Sequence, residues 1–153
     1  MYSCSNDGKV RAFSIPDKKK KFEFSHESEV NNIIIGREGT PLQNRLISIC
    51  MDGCFIVSNL ESGLEVQKID VGPTCLSLAV DWSGTIIAIG TGPSHLKASE
   101  SLCIFFNTEN FTKVKEFKFT GKVTALAFND NNDCMLATTS NGEIHSFKFT
   151  ETQ

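Results

Sequence analysis

Short apolar runs broken by Gly, Asn, Asp and Ser fill this chain, and no long stripe of apolar positions follows the 3.6-residue period of a helix. One unit of the pattern is Leu46-Ile47-Ser48-Ile49-Cys50, then Asp52-Gly53, then Phe55-Ile56-Val57-Ser58. Asp-Gly or Asn-Gly between two β-type runs marks a hairpin, because a tight primed turn needs residues that accept positive φ. The unit recurs around Asn6-Asp7-Gly8, with runs at 2–5 and 10–13, and around Ser140-Asn141-Gly142, with runs at 135–139 and 144–147. Gly8 and Gly53 stand 45 residues apart, and Gly53 and Gly142 stand 89 apart, close to one and two steps of a single period. The missing step is found at 86–90 and 102–106, where a longer loop, 91–101, replaces the tight turn.

Each hairpin has a strand on either side. Upstream lie continuously apolar runs at 30–35, 75–80 and 123–128, expected to be buried on both faces. Downstream lie runs at 21–24, 65–69 and 114–119, whose alternation of apolar and polar residues predicts a half-exposed strand. The sum is 14 strands in units at about 1–24, 30–69, 74–119 and 123–149, grouped three, four, four and three. Four strands per repeat describe a β-propeller blade. The expectation is an all-β chain of about 3.5 blades in an incomplete ring.

The repeat resembles the WD-repeat family. Ser25-His26 before Val30 is similar to that family's Gly-His position and inner strand. Asp7-Gly8 through Phe13-Ser14 is similar to its stretch from Asp-Gly to Trp-Asp, with Phe13 in place of Trp, and Asp52-Gly53 through Ser58-Asn59 matches again. Phe106, and Phe147 after Asn141-Gly142, occupy the same place in later units, and Asp81-Trp82-Ser83-Gly84 resembles the turn between inner and second strands. No Trp-Asp dipeptide occurs, and His26 is the only His at a Gly-His-like position. The resemblance implies a non-catalytic protein-interaction scaffold, with other proteins as partners. Family members usually close seven or eight blades, so the missing blades or a second copy are further expected partners.

Composition adds constraints. Twelve Phe accompany one Trp and one Tyr, which suits packed layers between sheets. The net charge of −3 argues against a general nucleic-acid binder. Six cysteines form no CxxC pair, so free, mostly buried thiols of a reducing compartment are expected, with no metal. Residues 1–16 have no signal-peptide pattern, and no apolar stretch approaches the ~20 residues of a membrane span. The expected setting is cytoplasmic or nuclear, away from membranes.

Candidate chemistry is sparse. His26, His95 and His145 lack metal-ligand spacing, and no nucleophile elbow surrounds a Ser. No catalytic, cofactor or metal residue is therefore assigned. Two stretches could contact a partner. The loop 91–101 carries His95, Leu96, Lys97 and Glu100 on the rim shared with the connections at 25–29, 70–73 and 121–122. Lys18, Lys19, Lys20 and Lys21 form a basic cluster expected in a turn. Two other readings stand beside the scaffold: an enzyme or ligand sensor completed by further blades, and a nucleic-acid binder using those lysines. The long turn 36–44 lies on the opposite rim and competes with the 91–101 loop.

Overall fold

The computed structural model of the chain describes residues 1–93 and 100–149. The described residues hold 14 strands in four antiparallel sheets. The first sheet is β1 (Tyr2–Cys4), β2 (Lys9–Ser14) and β3 (Lys19–Ser25). The second is β4 (Val30–Ile35), β5 (Arg45–Cys50), β6 (Cys54–Asn59) and β7 (Glu65–Asp70). The third is β8 (Thr74–Val80), β9 (Ile86–Gly92), β10 (Ser101–Asn107) and β11 (Lys113–Phe119), and the fourth is β12 (Val123–Phe128), β13 (Cys134–Thr139) and β14 (Ile144–Lys148). In every sheet the strands pair in chain order. The sheets lean on one another through β1 with β4, β4 with β8, and β8 with β12. This is an arc of β-propeller blades that does not close on itself.

The tight turns form as the residues require. Gly8 and Gly53 have φ of 75° and 89°, where a side chain is strained. Space forbids a side chain there as well. A Cβ on Gly8 would lie 2.8 Å from the His26 carbonyl oxygen, and one on Gly53 would lie 2.6 Å from that of Gly72. In the first two blades the hairpin turn thus presses on the backbone that leads to the next.

Three apolar layers fill the spaces between sheets. Val10, Phe24, Leu46 and Ile56 lie between the first and second, and Ile47, Phe55, Ile87, Ile89 and Phe106 between the second and third. Ala88, Cys103, Phe105 and Met135 lie between the third and fourth, with Phe117 and Phe147 packed against them. Each fully buried Phe or Ile stabilises the fold by roughly 1.5–3 kcal/mol relative to exposure.

The burial of the inner strands differs from expectation. Of the three, only β8 is mostly buried, whereas β4 is half-buried beyond Val30 and β12 is largely exposed. The middle strands β5, β6, β9 and β10 are buried along most of their length, as β8 is. A middle strand has neighbours on both edges and a sheet on each side. An inner strand has a free edge, and β12 has a packed sheet on one face only.

Two irregularities repeat from blade to blade. The first two strands of the second, third and fourth sheets shift register at Val30/Asn32, Cys75/Ser77 and Val123/Ala125. Strands β2, β6 and β10 shift against their outer neighbours at Ala12/Phe13, Val57/Ser58 and Phe105/Phe106. These bulges recur at equivalent positions and give each strand the same local bend.

The outward faces at the two ends of the arc differ in chemistry. On the first sheet, Lys9, Arg11, Lys20 and Glu23 form an ion-paired surface. On the fourth, Ala125, Ala127, Leu136 and Ile144 are exposed, with Leu136 at 46% and Ile144 at 73%.

Candidate interaction site

One rim of the arc carries the hairpin turns and the connections between blades. His26 follows β3 there and reaches the second sheet, its Nε2 3.1 Å from the Ser48 hydroxyl. Ser48 lies 3.5 Å from the Ile56 carbonyl oxygen, to which it donates. The Nδ1 of His26 is buried without a partner. Burial depresses the imidazole pKa, opposed by the charges of Glu65 and Asp52. Asp52 accepts from the Cys54 amide at 3.2 Å, and Asp7 from the Lys9 amide at 3.1 Å, so both cap their turns.

The 91–101 loop is shorter than expected. Thr91 is the penultimate residue of β9, fully buried, and exchanges hydrogen bonds with the Leu102 backbone. Ser101 begins β10. His95, Leu96 and Lys97 lie outside the described residues. Glu100 is exposed and pairs with Lys118 at 2.9 Å.

The lysine cluster is also placed differently. Lys18 alone stands in the turn, with φ of 53°, while Lys19, Lys20 and Lys21 open β3. After them Phe22 and Phe24 alternate with Glu23, so β3 pairs with β2 while the rings pack toward the second sheet. Glu23 takes hydrogen bonds from Lys9 at 2.7 Å and Lys20 at 3.0 Å, which pull its carboxyl pKa down to about 2. Arg11 reaches the same carboxylate at 3.1 Å and also pairs with Asp7. Part of the basic surface is therefore neutralised within the sheet.

The opposite rim holds a feature that sequence reasoning missed. The turns between first and second strands of three successive blades interlock there. Arg37, in the β4–β5 turn, lies over the Trp82 ring with its guanidinium carbon 3.3 Å from the centroid. Trp82, in the β8–β9 turn, is 53% exposed. Its backbone N–H donates to Asn132 Oδ1 of the β12–β13 turn at 2.6 Å. Thr40 packs against Gly84, and its hydroxyl donates to the Arg37 carbonyl oxygen at 2.8 Å. Below the stacked pair is a pocket of about 160 Å³ walled by Ile34, Ile35, Leu42 and Val80.

Asp81 borders this pocket and is held by its own turn. One carboxylate oxygen accepts from the Ile86 amide at 2.8 Å, and the other accepts from the Ser83 and Thr85 hydroxyls. Arg37 forms no ion pair with any carboxylate among the described residues. The signal for this site was available: Arg37 and Trp82 are 45 residues apart, one repeat length. Equivalent turns of adjacent blades are neighbours, so residues one period apart on long turns meet.

A second concavity, about 380 Å³, lies at the outer edge of the third and fourth sheets, between Phe105, Phe117, Phe147 and Phe149. Phe147 is half-buried there, and Phe106 is buried in the layer facing the second sheet, 4.9 Å from Phe55. Phe13 is half-buried in β2. Asn141 lies in the turn whose Gly142 has φ of 81°. His145 stands 3.2 Å from Glu143 and edge-on to Phe119. Among the described residues no three His, Cys, Asp or Glu side chains gather to hold a metal ion. No described helix is long and apolar enough to cross a membrane.

The blade geometry is shared with solved structures. The chain superposes on the computationally designed Ika4 protein with a TM-score of 0.79 at 18% identity, covering 97% of this chain and 84% of that one. It superposes on Sqt1 of Saccharomyces cerevisiae with a TM-score of 0.83 at 18% identity, covering 99% of this chain and 42% of Sqt1. At this identity the likeness is one of fold. No family model matches the sequence, and no curated protein matches it.

Proposed function

We propose that the chain is a non-catalytic scaffold of WD-type blades that docks other proteins and works beside further blades. The observation that carries this reading is the Arg37–Trp82 pair, held exposed on three interlocked turns. Trp and Arg are enriched where protein interfaces concentrate their binding energy, and a rigid frame lowers the entropy lost on docking. The uncovered apolar face of the fourth sheet supports neighbouring blades, because such a face is stable in water only when small or covered.

The enzyme or sensor reading draws less support. Asp81 borders the small pocket, yet both its oxygens are occupied by turn donors. The nucleic-acid reading draws on Lys18, Lys19 and Lys21, but Lys20 is tied to Glu23 and the net charge is negative.

Affinity capture from an extract of the source cells, with the wild-type chain and with a variant shortened across 94–99, tests the scaffold. Specific protein partners, retained in 0.3 M salt, are expected. Capture of nucleic acid alone, lost at that salt, would replace this reading with the basic-cluster one.

A further inference from the structure

The pocket beneath Trp82 has a shape and charge that specify its ligand. Its volume of about 160 Å³ matches the ~150 Å³ of an engineered apolar cavity that admits benzene. It has room for one ring or branched side chain and not for a folded backbone. The wall is apolar on one side, from Ile34, Ile35, Leu42 and Val80.

Both signs of charge border it, Arg37 and Asp81. Asp81 is turned to its own loop, with both oxygens accepting from Ile86, Ser83 and Thr85, whereas Arg37 is the charged group on the exposed turn. Arg37 lies face-on to the indole and has no carboxylate partner among the described residues. Stacking engages the guanidinium face and leaves N–H groups at its edge, which match a carboxylate.

The frame is set before any ligand arrives. Trp82 is held by Asn132, and Gly84 sits under Thr40 and accepts from the Thr108 hydroxyl at 2.8 Å. The turn therefore leans on elements from both flanking blades and cannot swing away freely.

Resting on the scaffold reading and naming its ligand class, we infer that this pocket docks an extended protein segment that presents one aromatic or branched aliphatic side chain beside an Asp or Glu. The apolar side chain fills the cavity under Trp82. The neighbouring carboxylate takes the free edge of Arg37. The two contacts are a few ångströms apart, so both come from one short stretch of the partner.

Trp82 is the chain's single tryptophan, so its fluorescence reports this site alone. Selection of a random heptapeptide phage library on the intact chain is expected to enrich peptides with an acid one or two positions from Phe, Leu or Ile. A synthetic selected peptide should shift Trp82 emission saturably. Replacing its acid by the amide, or Arg37→Gln in the protein, should each weaken binding about tenfold, the scale of one charge-assisted contact. The two changes together should weaken it little further. Arg37 is exposed on a turn, and circular dichroism checks that the variant stays folded.

Enriched peptides without an acid, or binding unaltered by Arg37→Gln, would overturn the inference and leave the scaffold reading standing. Failure to enrich any peptide would also overturn it. Extract partners that bind wild-type and Arg37→Gln protein equally would then place the scaffold's dock elsewhere, and absence of any partner would remove the scaffold reading itself.

Discussion

The Nε2 of His26 lies 3.1 Å from the hydroxyl of Ser48, joining the connection after the first sheet to the second strand of the next. With Ser48 donating to the Ile56 carbonyl oxygen, the imidazole Nε2–H donates to Ser48 and Nδ1 keeps a bare lone pair. A second proton would place an N–H at Nδ1 with nothing to accept it, consistent with the depressed pKa. Unfolded His titrates near ~6.5. Below that pH the unfolded chain takes up a proton that the fold resists, so stability falls as pH falls. Urea melts at pH 7.5 and 5.5 should show this loss, and His26→Gln should reduce it. Ser48→Ala should lower stability at pH 7.5 by about 1–2 kcal/mol.

Gly90 lies where the third sheet packs tightly against Val123 of the fourth. A Cβ there would lie 2.2 Å from Ser77 Oγ and 2.5 Å from Val123 Cγ1. Ser77 Oγ donates to the Val123 carbonyl oxygen at 3.0 Å, so the hydroxyl cannot retreat without losing a buried hydrogen bond. Gly90→Ala should destabilise by about 1–3 kcal/mol, read from denaturant midpoints.

Thiol reactivity should divide by burial. Desolvation raises Cys50 and Cys103 to about 12 and Cys75 further still, so each stays protonated at pH 8. Cys4 and Cys134 are only partly buried. Limited alkylation of the native chain, followed by mass spectrometry, should label Cys134 and Cys4 first. Cys50, Cys75 and Cys103 should react only when the chain unfolds.

Glu23 should stabilise the first sheet through its depressed pKa. Its carboxyl titrates near ~4.3 when unfolded and about 2 when folded. Its contribution is complete above the higher value and lost as pH falls through the lower one. Thermal melts of Glu23→Gln should fall below wild type at pH 7 and approach it at pH 2. The gap at pH 7 should narrow in 1 M salt, because the partners are close to solvent.

The exposed residues of the fourth sheet should be replaceable. Leu136→Lys is expected to change stability by no more than about 0.5 kcal/mol. The same change should reduce self-association in light scattering if the apolar face is what drives it.

Much of the blade pattern was legible because hairpin turns carry local requirements. Asp7-Gly8 and Asp52-Gly53 announce themselves by positive φ, and the strands beside them were visible as short apolar or alternating runs. Burial was less legible, because the inner runs are rich in Val, Ile and Leu whether they lie under a neighbouring sheet, as in β8, or against solvent, as in β12. The lysine cluster misled for a related reason. Four charges in a row read as a turn, yet an outer strand tolerates Lys on its exposed edge while Phe22 and Phe24 face inward. The recurring bulges left no sequence mark, since a register shift needs no particular residue. The Arg37–Trp82 stack is invisible locally and emerges only when the chain is folded at its own period.

The unlike faces at the two ends give the arc a direction. Were one copy to follow another head to tail, Lys9, Arg11 and Glu23 would be stripped of water against Leu136 and Ile144, a poor exchange for buried charge. Repetition of that contact would otherwise extend into an open filament, as any heterologous interface does when its rotation fails to close. The charged end is thus a poor seat for the apolar fourth sheet of a second copy.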